Sequence, residues 1–457
     1  MPVNPLLNRR RFLAISGSAA LAGALAACGT SAPSGTSSTS TGSAGPAGDG
    51  EKFGTADKPV TVSFWTWGTP DPALVPAYKK LHPYVDLQVT AVGSTADLYP
   101  KLATVYKAGT GAPDCTALEL PMMPTYAAAG YLEDMTPYGA SVDAYDASAA
   151  RASQFGGKLY AVPTDYGPMV MYYRTDVFDK FGLTVPTTWD EYRQTAEALK
   201  KAAPDAFISN LDPGDSTEAL GLIWQAGGRP FQLDGTNLAV DLADEGTTKY
   251  ATYWSGMLRD GLVNPVPGFT ADWFNQMGSG TYATWFAGAW GSSVLAQSLT
   301  QNNGLWRAAA IPNWEAGTAV NAAMGGSGTA VSSTSPNKAA AVAFAQWYGT
   351  DWPLANVGKA GGATFPASLT VQKDPAYLNA PSEILGGQLA AQLYVQLSGD
   401  VAEGWQFLPY QLYANNLYKD TAGQQVASGF DLAAGLSQWQ EQIVSYGRQQ
   451  GFTVNGS

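Results

Sequence analysis

The alternation of apolar and polar residues predicts how the folded region begins. Residues 60–64 alternate, which is typical of a half-buried β-strand. Residues 74–81 place apolar side chains on one face of a helix, and residues 85–91 alternate again. A helix over 97–107 and a strand over 115–120 follow. Strands that alternate with helices build parallel sheets, so the pattern predicts an α/β fold.

Two short strands with a polar interruption are predicted next. Segment 159–162 has strand composition and Pro163 ends it, while 169–173 is apolar enough for a buried strand. The interruption contains Asp165 and Tyr166. A strand that stops at a polar segment and then resumes suits a chain that crosses between two lobes. Because clefts between domains are preferred sites for small molecules, this crossing is a candidate ligand site.

The later part of the chain continues the mixture of helices and strands. Thr188 and Glu191 have the spacing of a capping box at the start of a helix. A strand is predicted over 308–311, within a segment, 306–317, that we interpret as a return crossing between the lobes. Three tryptophans lie on helical faces and are predicted to pack in the core: Trp189, Trp347 and Trp439.

The first 27 residues predict an export signal. Arg9-Arg10-Arg11-Phe12-Leu13 fits a twin-arginine signal, although a basic start also suits the general export pathway. The apolar run ends in Leu25-Ala26-Ala27-Cys28, the pattern of a bacterial lipoprotein cleavage box, with an ordinary cleaved signal as the alternative. The lipoprotein interpretation makes Cys28 the lipidated residue. Residues 28–57 are mostly Ser, Gly, Thr, Ala and Pro, which predicts a flexible tether.

Length and charge then limit the class of protein. The 430 residues after position 27 are too many for one compact core and suit two lobes. The formal net charge is −12, and it becomes −15 without residues 1–27, which carry three Arg and no acidic residue. An acidic surface argues against nucleic acid as a partner. Only Cys115 accompanies Cys28, so no disulfide is expected and Cys115 is predicted to be a buried thiol.

The sequence contains little that is typical of catalysis or metal binding. Its one histidine, His82, lies at a predicted helix end, and no Cys spacing is typical of a zinc site. No nucleophile elbow, P-loop or dinucleotide-binding motif is present. We therefore predict no metal, no cofactor and no enzyme activity. A carboxylate pair for glycoside hydrolysis stays open as an alternative, because carboxylates are plentiful and nothing singles out two.

Aromatic residues are the chemical feature that stands out. The chain has 14 Trp and 23 Tyr, many of them beside Gly or Pro and hence in predicted loops. Flat rings complement the apolar face of a sugar, and carboxylates or amides complement its hydroxyl groups. Core packing is the alternative for each Trp, and a solvent-facing position is the alternative for Glu119. The candidate ligand-binding residues are Trp65, Trp67, Glu119, Asp165, Tyr166 and Trp290.

Several motifs resemble one known family. They are Gly157-Lys158-Leu159-Tyr160, Tyr173-Arg174-Thr175-Asp176-Val177-Phe178, Pro186-Thr187-Thr188-Trp189-Asp190-Glu191, Ala283-Thr284-Trp285-Phe286-Ala287-Gly288-Ala289-Trp290 and Met324-Gly325-Gly326-Ser327-Gly328. Together they resemble the family 1 extracellular solute-binding proteins of carbohydrate ABC importers. Arg174 departs from the family pattern, which usually has Asn or Lys at that position.

The resemblance implies a two-lobed, periplasmic-binding-protein-like α/β fold, with a ligand cleft between the lobes and hinge crossings. On this chain it implies an N-terminal lobe of 58–165 and 307–350 and a C-terminal lobe of 166–306 and 351–457. It adds Gly325 and Gly326 to the candidate site residues, at the floor of the cleft, where the absence of Cβ lets backbone approach a ligand.

The implied function is capture of a mono- or oligosaccharide and its delivery to the membrane subunits of an ABC permease. The resemblance also implies a monomer that is lipid-anchored through Cys28 to the outer face of the cytoplasmic membrane. Because fold does not determine ligand, a binding protein for a non-sugar solute is one alternative. A secreted carbohydrate-active enzyme is the other.

Overall fold

The computed structural model describes residues 48–357 and 365–456. Fourteen strands are assigned within them: β1 Val60–Thr66, β2 Val85–Ala91, β3 Cys115–Glu119, β4 Gln154–Phe155, β5 Lys158–Leu159, β6 Ala161–Arg174, β7 Ser209–Asn210, β8 Phe231–Asp234, β9 Asn237–Val240, β10 Val263–Asn264, β11 Thr284–Gly288, β12 Trp306–Ala309, β13 Ala323–Val331 and β14 Thr453–Gly456.

Helices surround these strands. The α-helices of eight or more residues are Leu74–Leu81, Thr95–Ala108, Trp189–Ala202, Ser216–Gln225, Glu245–Arg259, Ala271–Ser279, Gly291–Ser298, Lys338–Gly349, Ala390–Gly399, Gln411–Tyr418 and Leu432–Gln449. The shorter ones are Asp49–Phe53, Met123–Ala128, Ala147–Ala152, Thr175–Phe181, Asp351–Ala355, Leu369–Gln372, Pro375–Leu378 and Ala422–Gln424.

The principal sheet has the strand order β11-β6-β13-β3-β1-β2, with β12 also paired to β6. Strand β1 runs parallel to both β2 and β3, and the helix Leu74–Leu81 connects β1 to β2. The predicted strand–helix–strand unit is therefore confirmed. Strand β13 runs antiparallel to β3 on one side and to β6 on the other, so it joins the parallel strands to the rest of the sheet.

Strand β6 is one continuous strand of 14 residues, so the prediction of two strands separated by a break at 164–168 is wrong. Backbone pairing continues through the polar segment, because Asp165 pairs with Ser327 and Tyr166 pairs with Gly326 on β13. The pairing register shifts on both sides of these residues, as it does at a β-bulge. Bulges accommodate the polar segment without ending the strand.

The two halves of β6 have different neighbours. Its first half pairs with β13, whereas residues Met169 to Arg174 pair with β11 and β12. In the segment 306–317, which we interpret as a return crossing, Trp306–Ala309 pairs with the second half of β6. The return crossing stays a prediction. Strand β12 begins at Trp306, two residues before the start of the predicted strand 308–311. The Trp306 side chain is fully buried. All the lobe boundaries stay predictions.

Local signals along the chain predicted several elements correctly. Helix Trp189–Ala202 begins with the expected capping box: Glu191 donates its backbone N–H to the Thr188 hydroxyl at 3.2 Å, and the Glu191 carboxylate accepts the Thr188 N–H. Trp189, Trp347 and Trp439 are all buried, as predicted. Cys115 is a buried free thiol, and burial raises its pKa well above the usual value.

The predicted tether is folded at its C-terminal end. Residues 49–53 form a short helix, and the Phe53 ring stacks on the His82 imidazole with 4.0 Å between ring centroids. The flexible tether therefore ends before residue 57, because the helix Asp49–Phe53 is held against the folded region by the Phe53–His82 contact. His82 caps the C-terminus of helix Leu74–Leu81, which confirms its helix-end position. Cys28 and the predicted signal lie outside the described residues.

Across the described ranges, no helix combines the length and apolarity needed to cross a bilayer. Nor does this part of the chain hold a group of three or more His, Cys, Asp or Glu side chains arranged to bind a metal ion.

Candidate ligand-binding site

A cavity of about 450 Å³, including its open mouth, lies beside the crossing strands. Five parts of the chain form it: the turn after β3, the end of helix Ala147–Ala152, the paired strands β6 and β13, one face of helix Ser216–Gln225, and the segment 405–415. The lining residues are Leu120, Pro121, Ala152, Tyr166, Thr217, Leu220, Gly221, Trp224, Ala323, Gly325, Trp405, Phe407, Gln411 and Asn415. The cavity is thus built from residues far apart in sequence, at the carboxyl end of β3.

Two stacked indoles dominate one wall of the cavity. The rings of Trp224 and Trp405 are nearly parallel, with an interplanar angle of 10° and 5.0 Å between centroids. Trp224 donates its indole N–H to the carbonyl of Ala402 at 2.8 Å, which fixes the pair. Phe407 stands edge-on to Trp405 at 6.2 Å. The result is a flat, rigid, apolar surface on which another flat group can stack.

Glycines form the wall that the crossing strand contributes. Gly325 adopts φ +82°, and a Cβ added there would lie 3.3 Å from the indole nitrogen of Trp290. That indole N–H donates to the Met324 carbonyl at 2.8 Å, so Trp290 packs behind the glycine. Gly326 adopts φ +120°, and a Cβ there would lie 3.0 Å from the Tyr166 ring. Both positions combine a left-handed φ with close contacts, which favours glycine.

Two carboxylates flank the same residue of β13. Ser327 pairs with Glu119 on one side and with Asp165 on the other. Ser327 donates its N–H to Asp165 at 3.0 Å, and Tyr99 donates its hydroxyl to Glu119 at 2.5 Å. Burial raises the pKa of both carboxyls, and the charges of Asp215 and Asp165 add to the rise for Glu119. Two buried carboxyl groups whose ionisation is disfavoured are therefore the sequence neighbours of Leu120 and Tyr166 of the cavity.

A third carboxylate reaches this region from the helix that lines the opposite wall. Asp215 caps helix Ser216–Gln225 by accepting the N–H of Thr217 at 2.7 Å and of Glu218 at 3.2 Å. Burial raises the pKa of Asp215, and the charge of Asp212 adds to the rise. Glu218 is 4% exposed and accepts the Asp212 N–H at 3.0 Å. Its pKa lies well above the usual value because of burial and, after it, the charge of Asp215.

The structure brings some of the predicted site residues to the cavity. Tyr166 and Gly325 line it directly. Glu119 and Gly326 are sequence neighbours of lining residues, Asp165 precedes Tyr166, and Trp290 lies behind Gly325. Trp65 and Trp67 are partly buried, pack against the core and are not among the residues that line this cavity. Ligand contact by each of these residues stays a prediction.

The sequence argument missed the stacked indoles. Trp405 follows Gly404, so it meets the criterion of an aromatic residue beside a glycine, but it is not among the candidate residues. Trp224 lies in a helix, where core packing is the usual role of an aromatic residue. Only the fold brings the two rings together, since 181 positions separate them.

The family model described as bacterial extracellular solute-binding protein matches residues 66–351, which is more than half of the chain. This chain belongs to that family. As a member of the bacterial extracellular solute-binding proteins, it has their two-lobed α/β fold. The predicted fold class is therefore confirmed.

Several members of the family are similar over much of the chain. The ABC transporter associated binding protein from B. animalis subsp. lactis Bl-04, solved in complex with beta-1,6-galactobiose, is 31% identical, with a TM-score of 0.77 over 86% of this chain and 99% of that chain. The lactose-binding protein of Rhizobium radiobacter is 25% identical over 79% of this chain and 86% of its own length.

The arabinooligosaccharide-binding protein of Bacillus subtilis (strain 168) is also 25% identical, over 59% of this chain. The match spans 64% of that relative, which is less than two thirds of its length. These similarities establish a family of binding proteins with sugar-binding members. The ligand of this chain has to be inferred from its own cavity.

Proposed function

We propose that this protein captures a mono- or oligosaccharide in the cleft between its lobes and delivers it to an ABC permease. The observation that carries the proposal is the stacked pair of Trp224 and Trp405 on the wall of a cavity beside the two crossing strands. A pyranose presents an apolar C–H face that packs well on a flat ring. Relatives named for sugar binding support the same ligand class.

Polar groups around the cavity suit the hydroxyl rim of a sugar. The Gln411 amide is already engaged, because it donates to the Asn415 carbonyl oxygen at 2.7 Å and accepts the Leu408 N–H at 3.0 Å. The Asn415 amide nitrogen makes a long contact, 4.0 Å, to the sulfur of Met122. Asn415 therefore retains a donor for a ligand hydroxyl. Carboxylates are strong acceptors for hydroxyl groups, and Glu119 directly precedes the lining residue Leu120.

The proposed cycle is binding, closure and release, without chemistry on the ligand. Two strands with β-bulges join the lobes, so a small change at the bulges moves one lobe relative to the other. A ligand that contacts both lobes favours the closed form, which is the form that a permease recognises. The lobe ranges 58–165 with 307–350, and 166–306 with 351–457, belong to this proposal. The protein acts as a monomer.

The proposed location is extracytoplasmic. Segment 1–27 acts as the export signal, Cys28 carries the lipid, and the residues up to position 48 form the tether to the outer face of the cytoplasmic membrane. The family description as extracellular agrees with this placement.

Isothermal titration calorimetry of the purified protein tests the ligand class. The panel contains beta-1,6-galactobiose, lactose, arabinooligosaccharides, monosaccharides, amino acids and polyamines. We expect saturable one-to-one binding of at least one saccharide, and Trp405→Ala is expected to weaken it by about tenfold, because an aromatic platform contributes on the order of 1 kcal/mol or more. A product analysis after long incubation checks that the saccharide stays intact.

The matched control is Trp352→Ala. Trp352 is also partly exposed and packs on Trp347, with 5.5 Å between rings, in a helix that does not line the cavity. This variant is expected to bind as the wild type does. Binding of only amino acids or polyamines would contradict the saccharide assignment while keeping the family.

A further inference from the structure

Phe269 combines two features that are each unfavourable for folding. Its side chain is 53% exposed, although phenylalanine is strongly apolar. Its backbone adopts φ +57°, a left-handed conformation that bulky residues rarely take. Residues held in such conformations are concentrated at ligand clamps and other functional positions, where the surrounding structure enforces them.

Hydrogen bonds on both sides of Phe269 fix this conformation. The N–H of Gly268 donates to the Asp212 carboxylate at 2.7 Å. On the other side, the Thr270 hydroxyl caps helix Ala271–Ser279 by accepting the N–H of Trp273 at 3.1 Å. The exposed ring is therefore presented by a defined turn.

The ring of Phe269 extends an aromatic layer that begins behind the cavity. It stacks on Trp273, with 5.3 Å between centroids, and it lies 6.3 Å from the ring of Trp290. Trp290 in turn packs behind Gly325, which lines the cavity. The order from the cavity outward is Gly325, Trp290 and Phe269, and only the last presents a largely exposed ring face.

The turn that carries Phe269 is connected to the helix that carries Trp224. Asp212, which holds Gly268, donates its own N–H to Glu218 in helix Ser216–Gln225. The same helix contributes Thr217, Gly221 and Trp224 to the cavity. These hydrogen bonds hold Phe269 at a fixed position relative to Trp224. A residue that distinguishes ligands by their length needs such a fixed position.

We propose that Phe269 is a specificity-determining contact, which packs against an outer residue of an oligosaccharide whose first residue occupies the cavity. This inference rests on the proposed function and adds that the site distinguishes oligosaccharides from monosaccharides. The ring stacks on Trp273, and its exposed part gains a further partner when the ligand extends beyond the cavity.

Calorimetric titration of the purified protein with beta-1,6-galactobiose, lactose, a longer arabinooligosaccharide and the corresponding monosaccharides tests the inference. Phe269→Ala is expected to weaken binding of the longer ligand by roughly three- to tenfold, the range of a single aromatic contact. The ratio of monosaccharide Kd to oligosaccharide Kd is expected to fall by the same factor. Phe269→Tyr, which keeps the ring, is expected to restore most of the preference.

Phe430→Ala is the matched control, because Phe430 is the other phenylalanine with a left-handed backbone, at φ +56°, and does not line the cavity. It is expected to bind every saccharide as the wild type does. Circular dichroism and thermal melts verify that each variant folds. If the wild type binds saccharides and Phe269→Ala keeps the wild-type Kd ratio, the inference is wrong and the proposed function stands. If the wild type binds no saccharide, both are wrong.

Discussion

At the scale of single residues, Glu218 is a carboxyl group in a position that disfavours its charge. It is buried beside Asp215 and accepts a hydrogen bond from the Asp212 N–H. Its pKa is raised in the folded protein, so the folded state binds the proton more tightly than the unfolded chain does. Stability contributed by this group is therefore greatest at acid pH and falls as the pH rises through the window between the ordinary and the raised pKa.

Glu218→Gln is expected to raise the midpoint of thermal unfolding at pH 7 by ~2 °C, because the amide keeps an oxygen acceptor for Asp212 and removes the buried charge. The gain is expected to shrink as the pH is lowered towards the usual carboxyl range, where wild-type Glu218 is protonated. Calorimetric melts at several pH values measure both effects.

Glu245→Gln serves as the control for the change in net charge. Glu245 is an exposed residue in the first turn of helix Glu245–Arg259, so its substitution removes the same charge without a burial effect. It is expected to shift the midpoint little. A Glu218→Gln midpoint at or below the wild-type value at pH 7 would show that the ionised carboxylate stabilises the fold.

The sequence predicted individual site residues only where one segment contains the whole signal. Tyr166 is a candidate because the polar interruption is visible in the chain itself, and Gly325 is a candidate because its segment resembles the family motif; both line the cavity. Trp405 and Asp215 were missed because their positions near the cavity depend on other parts of the fold. Trp405 stacks on Trp224, and Asp215 caps the helix that lines the cavity. Residue types alone do not reveal such long-range pairs.

At the scale of elements, β13 is the strand on which the crossing depends. It pairs with β3 and β6 at once, and its Gly326 lies against Tyr166 of the cavity wall. Gly326→Ala is expected to destabilise the protein by ~2 kcal/mol, because alanine is strained at φ +120° and its Cβ would press on the Tyr166 ring. Urea unfolding monitored by circular dichroism measures the loss.

Gly304→Ala separates the backbone cost from the contact cost. Gly304 also has a left-handed φ, +82°, but a Cβ there would meet no atom within 4 Å. We expect it to cost about 1 kcal/mol, the price of the backbone conformation alone. Equal losses in the two variants would show that Tyr166 adapts freely to the added methyl group.

Elements defined by neighbouring residues were the ones that the sequence predicted well. The capping box at Thr188 and the alternation in β1 and β2 depend on residues a few positions apart, and all three are confirmed. The continuity of β6 was missed because β13, more than 150 positions later, supplies the hydrogen bonds that carry the strand through its polar segment. Pairing over such distances has no local signal.

At the scale of the whole molecule, the protein is acidic and so is the region around its cavity. The formal net charge is −12. Near the cavity, the charges of Asp215 and Asp165 help to raise the pKa of Glu119. A neutral saccharide would meet these carboxylates as hydrogen-bond acceptors. A cationic solute would use them as counter-charges, so the acidic cleft favours it as the strongest rival ligand.

Salt dependence of binding distinguishes the two ligand classes. Between ~0.1 M and ~1 M NaCl the Debye length falls from about 10 Å to about 3 Å, which screens long-range attraction. For a neutral saccharide we expect the calorimetric Kd to change by less than about twofold over this range, because the ligand carries no charge for the acidic surface to attract. A control titration in choline chloride separates screening from any specific effect of sodium. A Kd that rises steeply with salt would instead indicate a cationic ligand, in which case the carboxylates of the cleft, more than its indoles, would determine what the protein binds.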